Sequence, residues 1–311
     1  MKYFRVYPWG LQLMLFLLMA LTFMSAAGVI YPSVFTRLTG YLPTQLESIG
    51  PQSPGRLVHV AVVTQGLLNC VIFMLPPAVF AYLAHPRPMA YLGLRKPAKN
   101  IHLLLSVLVI LGAMPLLQLL ENVMSHFNFG NSVKVAQEAN DNMMTAFLNM
   151  PSVGRFLQVF VLLAIIPAVG EELFFRSMMM RFAHKIFRGM TIPIIFTAAI
   201  FAYSHSNIYG LPSIFLAGIL LAVIYNLTGS LWCNILAHMF FNGLQIILAY
   251  MSNNMPGLKS FLSASSIPMW LVGSGAILFG ISFYLLYRLR TPLPRNWTDD
   301  FTLQELSENA Y

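Results

Sequence analysis

Charged residues are scarce in this chain. Only 9% of its 311 residues are charged, 58% are hydrophobic, and the mean hydropathy is +0.70. A soluble domain of ordinary composition carries about 25% charged residues. A deficit of this size means that most of the surface contacts something other than water. The composition therefore excludes an ordinary soluble protein and predicts a membrane protein.

Cysteine is nearly absent as well. Cys70 and Cys233 both lie in apolar runs and no CxxC motif occurs, which excludes a disulfide framework. We expect both to pack as small apolar side chains.

No internal repeat stands out, so we predict one transmembrane domain over residues 1–290. An acidic tail, residues 291–311, follows, and we expect it to be cytoplasmic and disordered.

Long apolar runs account for most of the chain. A helix needs roughly 20 apolar residues to cross the hydrocarbon core. The fifth and sixth runs are short, which suggests tilted helices or helices that end in a protein-lined cavity. The predicted spans are Leu11–Ile30, Val58–Leu83, Ile101–Leu120, Phe156–Phe182, Thr191–Ser206, Leu211–Leu227, Leu231–Met251 and Ile267–Tyr287. The fold class is thus all-α, a polytopic membrane helix bundle of about eight transmembrane helices. The longest connections, 31–57 and 121–154, have room for a surface helix.

The basic residues are unequally shared between the two sides of this topology. Thirteen of the 18 Lys and Arg fall on the side of the N-terminus and five on the other. The positive-inside rule then predicts a multi-pass protein of the cell (inner) membrane with both termini cytoplasmic. We expect the first span to stay uncleaved, because it is long for the core of a signal peptide. The net charge of +8 faces anionic lipid, so no nucleic-acid partner is predicted.

Acidic residues are almost excluded from the spans. Of the ten Asp and Glu, only Glu171 and Glu172 lie well inside one. Ionisable groups at such depth are costly and are usually functional. Glu172 and Arg176 are four residues apart and can form a structural ion pair. The side chain of Glu171 points about 100° away from that of Glu172 around the helix axis. It has no ion-pair partner in its own helix, which makes it a candidate general base.

Two histidines join this carboxylate inside the second half of the bundle. Each of His205 and His238, taken alone, is more often a core histidine than a functional one. However, Phe201 lies four residues before His205 and can pack over its ring. Asn242 lies four after His238, so both can project from one helix face as hydrogen-bond donors. With Glu171 they form a convergent polar set that predicts a site.

Three short motifs carry these residues. Residues 171–176 (EELFFR), 201–205 (FAYSH) and 238–242 (HMFFN) resemble the EExxxR, FxxxH and HxxxN motifs of the CPBP family. This family comprises CAAX proteases, including type II CAAX prenyl endopeptidases, and bacteriocin-processing enzymes. The three motifs occur in the family's order, and the resemblance covers a core of about residues 155–250.

The resemblance implies an eight-helix, glutamate-type intramembrane endopeptidase that needs no cofactor and cleaves peptides or membrane proteins. Carried over by motif, Glu171 would activate water with the assistance of His205. His238 and Asn242 would stabilise the oxyanion. Glu172 and Arg176 would support the first motif, and Phe201 the second.

Two other interpretations stay open at this point. Glu171, His205 and His238 could supply a carboxylate and two imidazoles to zinc, although HExxH is absent. The second alternative is non-enzymatic: a membrane scaffold, an immunity protein or a transport-assisting protein, since buried Glu and His also form proton relays.

Aspartyl chemistry is excluded because no aspartate lies in a span. A rhomboid-type serine loop is disfavoured because Val272 stands where the first glycine of GxSG would be.

Overall fold

A computed structural model describes residues 3–253, 255–262, 267–294 and 296–301. Over these residues the protein is helical and contains no β-strand. The principal helices are α1 (Trp9–Thr39), α2 (Gly55–Ala84), α3 (Ile101–Ser125), α4 (Asn131–Phe147), α5 (Val153–Phe187), α6 (Thr191–Ser204), α7 (Leu211–Thr228), α8 (Leu231–Ser252), α9 (Pro256–Leu262) and α10 (Met269–Arg288).

Seven of these helices, α1, α2, α3, α5, α7, α8 and α10, are long and apolar enough to cross a membrane. The predicted polytopic α-helical bundle is therefore confirmed. The fifth predicted span is the apolar helix α6, which has 14 residues and measures only about 21 Å at the usual rise. It ends at Ser204, and the exposed residues His205 and Ser206 follow, the latter with a left-handed φ of 52°. Of the two long connections, the second contains the amphipathic helix α4.

Helices α2 and α5 are interrupted by π-helical turns. They occur at Cys70–Met74 in α2 and at Val161–Ile165 and Glu172–Met179 in α5. Prolines lie just after the first two of these turns, at Pro76 and Pro167. Proline lacks an N–H and clashes with the carbonyl four residues earlier, so a wider turn before it avoids that clash. The third π-helical turn begins at Glu172, inside the first motif.

Small residues allow helices to touch. A side chain at Gly112 of α3 would lie 2.4 Å from the backbone nitrogen of Phe279 in α10, and one at Gly275 would lie 2.9 Å from the Gly112 carbonyl. Gly170 of α5 is similarly close to α2, where a Cβ would lie 3.0 Å from Asn69 Oδ1. Such contacts are a usual means of helix association in membranes, and the second one brings α2 against the first motif.

The turn between α7 and α8 lies below the surface of the bundle. Leu231 N–H donates to the Gly93 carbonyl at 3.0 Å, and Thr291 N–H donates to the Leu227 carbonyl at 2.9 Å. Two segments, residues 88–95 and 291–294, therefore lie over the start of α8. As a result, α8 begins inside the bundle. His238 lies two turns after this start, at the level of the C-terminal end of α6.

The described part of the predicted tail, residues 291–294 and 296–301, packs against the bundle. Asp300 forms ion pairs with Lys185 at 2.7 Å and with Arg181 at 3.4 Å, and Trp297 contacts the apolar core beside Tyr225. These contacts differ from the disorder expected from composition, which does not reveal the basic partners on α5. Residues 302–311 lie outside the described residues, and the domain division at residue 290 stays a prediction.

Candidate active site

Three side chains from separate helices converge in the interior of the bundle. Glu171 Oε2 on α5 lies 3.9 Å from His205 Nε2 at the end of α6 and 3.8 Å from His238 Nε2 on α8. Glu171 and His238 are buried, whereas the side chain of His205 is 34% exposed. The cluster is thus deep in the protein but open to a surface at His205.

The second nitrogen of each imidazole has a hydrogen-bond acceptor. His205 Nδ1 lies 2.7 Å from the Phe201 carbonyl, and His238 Nδ1 lies 2.9 Å from Glu172 Oε1. A carbonyl and an ionised carboxylate only accept, so both Nδ1 atoms donate. In the neutral rings the Nε2 atoms are therefore the acceptors, and both of them face Glu171 Oε2.

The contacts of Glu171 are all long. Its Oε1 accepts from Asn69 Nδ2 at 3.4 Å, and its buried Oε2 has no direct hydrogen-bond partner within the part of the chain that the structure describes. Separations of 3.8–3.9 Å exceed the range of a hydrogen bond and are suited to bridging by a water molecule. This carboxylate is therefore available to an incoming group.

Glu172, the next residue, has a closed set of partners. It accepts from Arg176 at 2.9 Å, from Asn234 at 3.2 Å and from His238 at 2.9 Å, and it is fully buried. The ion pair with Arg176 is the one that the four-residue spacing predicts. Buried carboxylates require such compensation, because removing a charge from water is costly. Glu172 thereby fixes the orientation of the His238 ring.

Arg176 and Phe201 connect the first two motifs. Arg176 Nη2 donates to the Gly218 carbonyl at 3.0 Å, and its guanidinium lies over the Phe201 ring at 4.6 Å. On its other side, the Phe201 ring contacts the His205 ring with centroids 4.6 Å apart. The two motifs therefore form one packed unit that fixes the position of His205.

Asn242 is placed near the cluster but is not tied to it. It lies one helical turn after His238 and is half-buried. No hydrogen bond joins its amide to another described residue, so both of its N–H groups are available to a bound molecule. The amide is thus compatible with a donor role, although no contact connects it to Glu171 or to either imidazole.

Two amides at this site are missing from the sequence-based prediction. Asn69, on α2, reaches Glu171, and Asn234 reaches Glu172. The sequence argument starts from the acids and histidines within spans and adds only Asn242 among the amides, whereas Asn69 and Asn234 are further neutral polar residues in apolar runs. For Asn234 a signal exists, because it lies four residues before His238 and shares its helix face. For Asn69 the only signal is an uncompensated amide in a span.

The described residues contain no group of three or more His, Cys, Asp or Glu side chains arranged as a metal site. The zinc alternative would use Glu171 Oε2 and the two Nε2 atoms. Tetrahedral zinc, with ligands at about 2.0–2.1 Å, holds them roughly 3.3 Å apart. The observed separations of 3.8 and 3.9 Å are wider than that.

Comparison with known families identifies this region. The model of the family described as "Type II CAAX prenyl endopeptidase Rce1-like" matches residues 154–244, a segment that contains all three motifs. No curated protein and no solved structure matches the chain significantly. This segment is therefore similar to the CAAX proteases of the CPBP family, the family whose motifs the sequence resembles.

Proposed function

We propose that this protein is an intramembrane endopeptidase that hydrolyses peptide bonds of membrane-associated proteins or peptides. The observation that carries the proposal is the convergence of Glu171 Oε2 with His205 Nε2 and His238 Nε2 within 3.9 Å. Ionisable groups at membrane depth are rare outside functional sites. The match to a protease family supports peptide hydrolysis as the reaction.

In this proposal Glu171 and His205 activate water. Glu171 Oε2 and His205 Nε2 are acceptors 3.9 Å apart, and a water between them can lose a proton to either. The hydroxide oxygen forms a bond to the peptide carbonyl carbon, and the tetrahedral intermediate then breaks its C–N bond. The proton held by Glu171 or His205 passes to the leaving amine, as in general acid–base catalysis.

His238 and Asn242 are the proposed oxyanion donors. His238 donates its Nδ1–H to Glu172, so its Nε2 is a donor only when the ring is protonated. The Asn242 amide offers a neutral N–H. One preorganised donor of this kind lowers the barrier by roughly 3 kcal/mol. Glu172 therefore acts as a positioning residue for His238, and Arg176 and Asn234 position Glu172.

The proposed location is the cell membrane, with both termini in the cytoplasm. The support is the excess of Lys and Arg on one side of the bundle. The proposed partners are a peptide or membrane-protein substrate and the lipid bilayer.

The deciding experiment replaces the Glu171 carboxylate by an amide. Membrane proteomes are compared between cells that express the wild-type protein, Glu171→Gln or the control Glu138→Gln, which changes an exposed acid on α4. We expect new peptide termini with wild type and with Glu138→Gln, and their loss with Glu171→Gln at equal membrane insertion. Identical termini in all three, or a cellular phenotype that survives Glu171→Gln, would favour the scaffold alternative.

The zinc-dependent variant of the same hydrolysis is tested separately. Both imidazoles donate through Nδ1 to an acceptor, which is also the usual arrangement of metal-bound histidine. We expect purified protein to cleave its substrate in excess chelator. Loss of cleavage that added zinc restores would assign Glu171, His205 and His238 as ligands instead.

A further inference from the structure

A second cavity lies at one end of the bundle, away from the candidate active site. Its volume is about 400 Å³. It is enclosed by residues 85–95 after α2, by Arg181 of α5, by the end of α7, and by residues 293–294 and 296–301. This end of the bundle is called the basic end, because it carries Arg87, Arg95, Arg181 and Lys185. None of the residues that face Glu171 lines the cavity, so the peptidase proposal does not account for it.

Arg181 is the buried charged group of this cavity, with 3% of its surface exposed. Its Nη atoms donate to the carbonyls of Trp297 and Thr298 and to Asp300 Oδ1, and its guanidinium lies 4.0 Å above the Tyr91 ring. Its Nε is buried and has no hydrogen-bond partner among the described residues, and Trp297 Nε1 is in the same situation. Arg181 therefore places a buried positive charge beside the cavity, held in position by Trp297, Thr298 and Asp300.

The charge of the wall is positive. Arg87 and Arg95 line the cavity with exposed guanidinium groups, in addition to Arg181. The carboxylate of Asp300 is neutralised by Lys185 at 2.7 Å and Arg181 at 3.4 Å. Asp299 is the other acidic residue of the described wall, so cations outnumber anions. Guanidinium groups bind phosphate in a bidentate manner and are favoured where phosphate is recognised.

We propose that this cavity binds the phosphate group of an anionic phospholipid. Arg87 and Arg95 form charge-assisted hydrogen bonds to the phosphate oxygens, and the positive charge of Arg181 lies behind them. The cavity lies where α2, α5 and α7 end, so a bilayer crossed by these helices places its headgroups at this end, and basic pockets between helices at that level hold such headgroups. This inference stands independently of the proposed peptidase activity.

The test removes the two exposed arginines and compares lipid retention. Wild type, the double variant Arg87→Gln/Arg95→Gln and the control Lys96→Gln/Arg188→Gln are purified from micelles that contain equal amounts of phosphatidylglycerol and phosphatidylcholine. The control removes the same charge from exposed residues of the same end that do not line the cavity. Bound lipid is counted by native mass spectrometry.

We expect wild type and control to retain one phosphatidylglycerol in preference to phosphatidylcholine. We expect Arg87→Gln/Arg95→Gln to lose it, with at least about tenfold weaker retention, the equivalent of roughly 1.4 kcal/mol. Equal retention of both lipids by wild type, or an equal loss in the control, would overturn the site. A separate arm adds glycerol phosphate to lipid-free detergent. Arginine-dependent binding there would support the phosphate site but make a soluble phosphate its ligand, whereas no binding supports the lipid.

Discussion

Two adjacent carboxylates on α5 have opposite surroundings. Glu172 is fully buried and accepts three side-chain hydrogen bonds of 2.9–3.2 Å. Glu171 has one contact at 3.4 Å and two at 3.8–3.9 Å, and its Oε2 lacks a direct partner among the described residues. The difference separates two tasks. Glu172, whose carboxylate oxygens are occupied by hydrogen bonds, can hold neighbouring side chains in position. Glu171, which has an oxygen without a direct partner among the described residues, can accept and pass on a proton.

The surroundings of Glu172 also explain why an ion pair is present at this depth. Arg176 is 1% exposed and the Glu172 carboxylate 0%, so each requires the other once both have left water. The pair is connected to His238 through Glu172 and to Phe201 through Arg176. The ion pair therefore serves mainly to hold the two imidazoles in position relative to each other, and it adds little net stability.

The largest expected effect follows from breaking the closed network. Glu172→Ala leaves the Arg176 charge buried and unpaired, which costs about 3–5 kcal/mol. We expect a clearly lower unfolding temperature in detergent and no cleavage, because His238 also loses its acceptor. Glu171→Ala is the matched control and should unfold within about 1 kcal/mol of wild type, since its single side-chain hydrogen bond, from Asn69, is long at 3.4 Å. Equal destabilisation by the two variants would contradict the division of tasks.

The two imidazoles extend the same comparison. His205→Ala and His238→Ala should each lower cleavage by about 10²–10⁴-fold, the usual contribution of general acid–base groups and oxyanion donors. Only His238→Ala should also lower the unfolding temperature, because His238 is buried and hydrogen-bonded to Glu172, whereas His205 is 34% exposed. A rate assay and a thermal melt on the same preparations check both parts. A stable His238→Ala protein would show that Glu172 does not depend on it.

Much of this arrangement is predictable from the sequence, for identifiable reasons. The spans follow from apolar run length, and the pairing of Glu172 with Arg176 follows from helical spacing. The end of α6 is predicted to within two residues, at Ser206 against Ser204 in the structure, whereas the left-handed backbone of Ser206 is not, since neither proline nor glycine marks it. The contact of Asn69 with Glu171 is equally hidden, since it depends on the approach of α2 at Gly170. Tertiary contacts of this kind leave no local pattern.

Replacing Asn242, the proposed neutral oxyanion donor, should lower the cleavage rate less than the changes described above. Asn242→Ala should lower the cleavage rate by about 10²-fold, which is the lower end of the range for one oxyanion donor, and should leave the unfolding temperature unchanged. The amide has no hydrogen bond to another described residue, so its removal leaves no described group unsatisfied. Substrate binding should change little, because the oxyanion exists only in the transition state. A rise in KM without a change in kcat would instead assign Asn242 to substrate binding.

The smallest expected effect concerns Asn69, the amide that touches Glu171 from α2. Asn69→Leu removes one long hydrogen bond of 3.4 Å, so we expect about a fivefold loss of kcat, in line with a net contribution of roughly 1 kcal/mol. If Asn69 positions the carboxylate, the conservative variant Asn69→Gln should restore part of the rate, and KM should stay constant in both. A full rate in Asn69→Leu would mean that Glu171 holds its position through α5 alone.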